Sequence, residues 1–354
     1  MREMLVVTLL AMAFLVPSAL RAEDDEGSPL HAAVAARDVA KVKALVAAKD
    51  VDLAAVDFEQ NTALHRAAAI GGGEALEICT LLLQRGAPTE ISNDYAQTPL
   101  NVAAAAGDLA VVKLLLSKGA KVDGVLFERG LDRIGRSPLH QAVFHGHLEV
   151  AQLLLDKGAD VALRDGQKDC AMIFAARSPS PNADAMVALL LKKGASPNAK
   201  NTDDDTPLTE AAVSGNVDVF RRLLAGGAHL DGAALGEHLF YAAPVRAPGR
   251  RNHEIVALLL EKGAKVDWTG YKQRTALHRV AQIKPSEALD PMDYGGFATC
   301  PALVPADKAA TPARVVALLL AAGAKKDLVD ADGKTPLDLA RDAGNVDVVA
   351  LLEK

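Results

Sequence analysis

Nine histidines and three cysteines carry most of the chemical potential of this 354-residue chain, and their spacing decides what they can do. Four of the histidines, His31, His65, His140 and His278, occupy one position of a recurring short phrase. His145-Gly146-His147 offers two imidazoles, yet no cysteine or third histidine stands at ligand spacing, so no zinc site is expected. His253-Glu254-Ile255 lacks the second histidine of a zinc-protease helix, and Gly71-Gly72-Gly73 lacks the lysine and Ser/Thr of a phosphate loop. Asp330-Ala331-Asp332-Gly333 opens like a calcium loop without the closing glutamate, and Asp203-Asp204-Asp205 reads as a solvated loop tip. There is no Gly-x-Ser-x-Gly or other nucleophile signature. The expectation is therefore no metal, no cofactor and no catalytic residue.

What organises these residues is repetition. The phrase appears as Ser28-Pro29-Leu30-His31, Thr62-Ala63-Leu64-His65, Thr98-Pro99-Leu100-Asn101, Ser137-Pro138-Leu139-His140, Thr206-Pro207-Leu208-Thr209, Thr275-Ala276-Leu277-His278 and Thr335-Pro336-Leu337-Asp338. Degenerate copies begin at Cys170 and Glu237, which gives nine units. Their spacings of 34, 36, 39, 33, 36, 31, 38 and 60 keep a period near 33 with insertions at identifiable places.

Each phrase reads as a helix start, because the Ser or Thr hydroxyl caps the first turn and proline at the first helical position loses no hydrogen bond. Small residues such as Ala103 to Ala106 follow, allowing close helix approach, and a second helix ends in an apolar triplet, a cation and a glycine, as in Leu114-Leu115-Leu116-Ser117-Lys118-Gly119. Thr-Pro-Leu-His, Leu-Leu-Leu and Gly-Ala recurring in fixed order resemble the ankyrin-repeat family over about residues 28 to 354. The resemblance implies an all-α repeat solenoid of about nine units, each two antiparallel helices with a projecting β-hairpin loop. It also implies that the phrase histidines make structural hydrogen bonds near the helix start, and that a protein partner is held by hairpin tips and a concave face. One unit cannot bury its own apolar face, so units must stack.

Composition agrees with small, closely packed helices: half the residues are apolar but only 4% are aromatic. The formal charge of −6 becomes −7 without residues 1–22, which carry Arg2 and Arg21 against Glu3. Lacking a basic surplus, the chain is not expected to bind nucleic acid or anionic membrane surfaces. Residues 1–22 read as an export signal, with Arg2, an apolar run from Met4 to Val16 and a cut after Ala22, followed by an acidic linker at 23–27. An uncleaved anchor is the alternative, for which the run is short of the roughly 20 residues a bilayer needs. A periplasmic or secreted monomer is expected. Three stacked units separate Cys79 from Cys170 and Cys170 from Cys300, too far for a disulfide unless the insertion reaches far along the stack, and Cys300 is the thiol expected to be accessible.

Function is to be sought where the repeat breaks. The eighth unit carries an insertion at about 284–311, where prolines at 285, 291, 301, 305 and 312 are read as forbidding a regular helix while Met292, Tyr294 and Phe297 give it something to bury. Folding over the binding face and a loop without structure of its own are both open. Val122 to Gly135 reads as a lengthened two-stranded finger. Of the twelve aromatics after residue 22, seven lie outside helices: Phe58, Tyr95, Phe127, Trp268 and Tyr271 in hairpin segments, and Tyr294 and Phe297 in the insertion. Such residues are typical interface anchors, although any one of them can instead pack on the neighbouring hairpin. The chain is thus read as a binding protein, with an inhibitor or immunity role towards a secreted enzyme as its sharper form. An enzyme with its site in the 284–311 insertion and a self-associating scaffold are the alternatives.

Overall fold

Alanine and leucine spaced for helices, and Ser or Thr placed to start them, produce helices throughout. A computed structural model describes residues 28–124, 135–230, 232–244, 251–284 and 311–354. Among these residues eighteen α-helices follow one another in nine pairs. Residues 1–27, expected to be a signal and linker, and Phe127, Tyr294, Phe297 and Cys300 lie outside the described residues.

The chain divides into two compact units, within the described residues 28–204 and 205–354. The first unit holds α1 (Pro29–Ala35), α2 (Val39–Ala47), α3 (Ala63–Ile70), α4 (Gly72–Gln84), α5 (Pro99–Ala106), α6 (Leu109–Ser117), α7 (Pro138–Phe144), α8 (Leu148–Asp156), α9 (Ala171–Arg177) and α10 (Ala183–Lys192). The second holds α11 (Pro207–Ser214), α12 (Val217–Ala225), α13 (Gly232–Ala242), α14 (Asn252–Glu261), a 3₁₀ turn at Tyr271–Gln273, α15 (Ala276–Ala281), α16 (Pro312–Ala321), α17 (Pro336–Asp342) and α18 (Val346–Leu352).

Within each unit a helix packs on its partner and on the corresponding helix of the next pair, so that first helices form one layer and second helices another. The layers fit because the facing residues are small: Ala67, Ala68, Ala103, Ala104 and Ala142 are fully buried, letting first helices approach closely. Leu82, Leu115 and Leu154 from the second helices fill the space behind them, again fully buried. In the second unit Phe220, Leu223, Leu259 and Leu319 do the same. The closing glycine works as expected at Gly119, where φ of 90° lets the chain reverse while the Ala120 amide donates to the Leu115 carbonyl at 3.1 Å.

Two features differ from expectation. The hairpin segments contain no strand among the described residues; only single antiparallel bridges form, Val56 with Thr62 and Arg164 with Cys170. Five-residue loops closed by side chains leave too little extended backbone for a ladder. The seventh unit's first helix starts at Gly232, five residues before the Glu237 position, because neither proline nor a hydroxyl residue stands there to mark a start.

Candidate functional site

The loop tips are built from the cap upward. In the second unit of the repeat, Thr62 starts α3, and the backbone N–H and hydroxyl of Thr62 lie 3.1 and 2.8 Å from His65 Nδ1. Nδ1 therefore accepts from the Thr62 N–H, which leaves the proton on Nε2 to donate to the Gln97 carbonyl, at 2.9 Å, just before the next phrase. One ring caps its own helix and ties it to the following loop. His31 reaches Asn61 at 3.0 Å, His140 reaches Leu163 at 3.1 Å and His278 reaches Lys334 at 3.3 Å in the same way. Asn101 substitutes for the ring, accepting from the Thr98 N–H at 3.0 Å and donating to the Arg136 carbonyl. Burial pulls His65 and His140 down to about 4 and lowers His278. The structural hydrogen bonds expected of these histidines near the helix start are present.

Ahead of each cap stands a short turn held by a carboxylate or amide. Asp57 accepts from the N–H groups of Glu59 and Asn61, both at 2.9 Å, Asn93 from Tyr95 and Gln97 at 3.0 Å, Asp165 from Gln167 and Asp169 at 2.9 Å, and Asp330 from Asp332 and Lys334 at 2.9 and 3.0 Å. These Asx turns link up along the first unit: the Asn93 amide donates to Asn61 Oδ1 at 2.8 Å, and the Asn201 amide to Asp169 Oδ1 at 3.1 Å. Backbone bonds run beside them, Asp94 N–H to the Glu59 carbonyl at 3.0 Å and Thr202 N–H to the Gln167 carbonyl at 3.0 Å. Arg66 clamps Asp57 at 2.6 Å, and in the second unit Arg274 clamps Asp330 at 2.8 Å. Sequence reasoning missed this bracing; its signal was Asp or Asn recurring four residues before the last loop residue, as in Asp57 and Asn61 or Asp165 and Asp169.

On this braced edge the expected aromatic anchors take different places. Phe58 is 62% exposed at the tip of the 57–61 loop, with the Arg66 guanidinium 6.0 Å from its ring. Tyr271 is 78% exposed in the second unit, on the 3₁₀ turn. Tyr95 is half-buried, its hydroxyl 3.5 Å from Glu59. Trp268 is half-buried against the core: its ring meets Phe240 edge-on at 5.6 Å, and it leans over Gly236, where an added Cβ would sit 2.5 Å from it. Phe240 stands where the phrase elsewhere places histidine, with Arg279 stacked on it at 4.6 Å, so in this pair an aromatic stack replaces the hydrogen-bonded ring.

Other candidates are absorbed by packing. His147 Nε2–H donates to the Ala105 carbonyl at 2.9 Å, and its ring stacks on His145 at 6.1 Å. Cys79 and Cys170 are buried free thiols, and burial pushes Cys79 up to about 12. Arg136, which sequence reasoning did not single out, covers the buried ring of Phe174 at 4.8 Å.

Two family profiles match the chain: "Ankyrin repeats (3 copies)" over residues 5–93 and 68–165, and "Ankyrin repeats (many copies)" over residues 173–224. The chain belongs to the ankyrin-repeat family. Among its relatives are the Caenorhabditis elegans protein glp-1, 28% identical over 52% of this chain and 13% of that protein, and the C. elegans homologue of transient receptor potential cation channel subfamily A member 1, 26% identical over 62% of this chain and 14% of that protein. The chain thus spans about an eighth of the length of the curated relatives it matches. The crystal structure of the human ASB11 ankyrin repeat domain aligns over 83% of this chain and 97% of that one, with a TM-score of 0.50 and 23% identity, a likeness of fold. Ankyrin repeats are protein–protein interaction modules, and the chain is an all-α ankyrin-repeat solenoid.

Proposed function

We propose that this ankyrin chain acts in the periplasm or outside the cell as a binding module that holds another protein through its loop tips. The observation that carries the reading is a pair of large aromatics, Phe58 and Tyr271, held in water on loops braced from within. Exposing a phenyl or phenol ring on a rigid turn costs solvation without gaining packing, and it lowers the entropy lost on binding. Phe58, Tyr95, Phe127, Trp268, Tyr271, Tyr294 and Phe297 are the proposed contact set, with Tyr95 and Trp268 acting mainly as supports for the rings beside them. Segment 284–311 is proposed to contribute to the same contact. The apolar run at 4–16 and the Pro17-Ser18-Ala19-Leu20-Arg21-Ala22 stretch after it support export, and the mild negative charge supports a protein partner over a nucleic acid. In its sharper form the chain is an inhibitor or immunity protein of a secreted hydrolase.

The test is affinity capture from a periplasmic or secreted fraction with residues 23–354, alongside the Phe58→Ser/Tyr271→Ser variant and a deletion of 284–311. A protein retained by the parent chain and lost with the tip variant is expected. Unchanged retention by the tip variant would contradict the reading, and unchanged affinity on deletion would remove the insertion from it. For the sharper form, the captured hydrolase must lose activity when the mature chain is added.

A further inference from the structure

Arg136 and Arg274 hold the same place in their repeats, immediately before the hydroxyl residue that starts a first helix, and they spend their donors differently. Each guanidinium nitrogen of Arg274 is engaged: Nε donates to Asp330 at 2.8 Å, one terminal nitrogen to Gln282 at 2.6 Å and the other to Asp332 at 3.4 Å. The Arg136 guanidinium makes no hydrogen bond among the described residues, and its Nε stands 3.8 Å from Asp165, beyond hydrogen-bond reach. Phe144, the last residue of α7, and Phe174 in α9 hold it there, with their rings 5.6 and 4.8 Å from the guanidinium carbon. Stacking occupies the flat face of a guanidinium and leaves its edge, where the N–H donors lie.

That edge reaches solvent. The Arg136 side chain is 34% exposed and the Asp165 side chain 1%, so an arriving molecule meets the cation and not the counter-charge beneath it. Arg177, the last residue of α9, repeats the arrangement, 36% exposed on an Asp169 side chain that is 4% exposed. His145, just after α7, comes to the surface edge-on to Phe144 at 5.3 Å. These basic groups feel one another: burial first, then Arg177, pulls Arg136 below the ordinary arginine range against the pull of Asp165, and burial first, then His147 and Arg136, pulls His145 down to about 4. His145 is neutral at pH 7, and the positive charge of this face is carried by the two guanidiniums. An anion on the Arg136 edge relieves their repulsion and finds donors already held in place.

We propose that Arg136 reads a carboxylate on the partner protein, taking an aspartate or glutamate side chain of an acidic segment on its free edge, with Arg177 adding charge and Phe144 an apolar flank. The proposal rests on the reading of the chain as a protein-binding module, and it adds a contact on the first helices of the first unit to those on the loop tips.

The test uses a blocked hexaglutamate peptide as the probe on residues 23–354 at pH 7. Histidine-ring NMR spectra are recorded during titration, with His145 assigned by the loss of its signals in His145→Gln. Hexaglutamate should shift the His145 signals saturably and leave those of His65 in place, while blocked hexaglutamine should shift neither. Arg136→Gln should weaken hexaglutamate by roughly tenfold or more. Lys168→Gln removes an exposed cation from the neighbouring tip, at a register where the 57–61 loop already carries Gln60, and should change the affinity by less than about twofold. Far-UV circular dichroism should be unchanged in both variants, and inorganic phosphate should bind more weakly than hexaglutamate. No saturable His145 shift in the parent chain, full affinity in Arg136→Gln, an equal loss in Lys168→Gln, or tighter binding of phosphate would overturn the proposal. The probe replaces the natural partner, so the capture experiment with the tip variant can fail while this one succeeds, and the reverse.

Discussion

The tip at 57–61 and the tip at 270–274 present the same thing, an exposed aromatic ring, on supports that share an arginine clamp and differ in what is added to it. Phe58 stands on polar bracing: the Asp57 turn, the Arg66 clamp and the His65 ring that ties α3 to the Gln97 carbonyl. Tyr271 stands on a turn closed by backbone bonds among residues 270–274 and held by Arg274 on Asp330, but beside it an apolar support is added, Trp268 meeting Phe240 edge-on with Arg279 over the Phe240 ring. The difference teaches that a repeat can lose its histidine and keep its loop, provided aromatic surface replaces the hydrogen bonds. It also makes the two tips respond to different stresses.

Acid should separate them most. The unfolded chain takes up a proton on each histidine near pH 6.5, while folded His65 and His140 do so only near pH 4. Between those values the unfolded state binds more protons, so the stability is present above pH 6.5 and is lost as the pH falls towards about 4. The loss is about 3 kcal/mol per ring, an order-of-magnitude figure from the size of the two shifts. Urea melts of the 28–204 unit monitored by hydrogen exchange should show it, and the loop carrying Trp268 should be less affected.

Substitutions should sharpen the contrast. His65→Ala leaves the Thr62 N–H unpaired and takes from the Gln97 carbonyl one of its two donors, the other being the Asn93 N–H, and should cost about 2–4 kcal/mol in denaturant midpoint measurements. Trp268→Ala removes the stack on Phe240 and should cost about 2–3 kcal/mol in the second unit, with no change in acid sensitivity. Gly236→Ala keeps every group but pushes a methyl into the indole, so it should cost about 1–3 kcal/mol and alter Trp268 fluorescence. Phe58→Ser and Tyr271→Ser should change stability least, within about 0.5 kcal/mol, because both rings are exposed.

The same contrast explains what was legible in the sequence. Helix starts at Ser28, Thr62, Thr98, Ser137, Thr206, Thr275 and Thr335 could be read because capping is local chemistry, settled within four residues. The histidine role followed from the family resemblance and fits the observed bonds. The aromatic stack was not legible, since Phe240, Trp268 and Arg279 come from three segments joined only by packing, inside a copy whose phrase had decayed. The start of α13 at Gly232 was missed for the same reason. The Asx ladder was visible only as a spacing of acids and amides, which looked like ordinary loop polarity. Exposure separated Phe58 and Tyr271 from Trp268 and Tyr95, a distinction that depends on neighbours rather than on residue type.

The most direct test of binding through the tips compares the parent chain with Phe58→Ser/Tyr271→Ser in titration calorimetry against the captured partner. Loss of most of the affinity, with unchanged melting of both units, is the predicted result. Equal affinity in the two chains would contradict it and move the interface away from the aromatic tips.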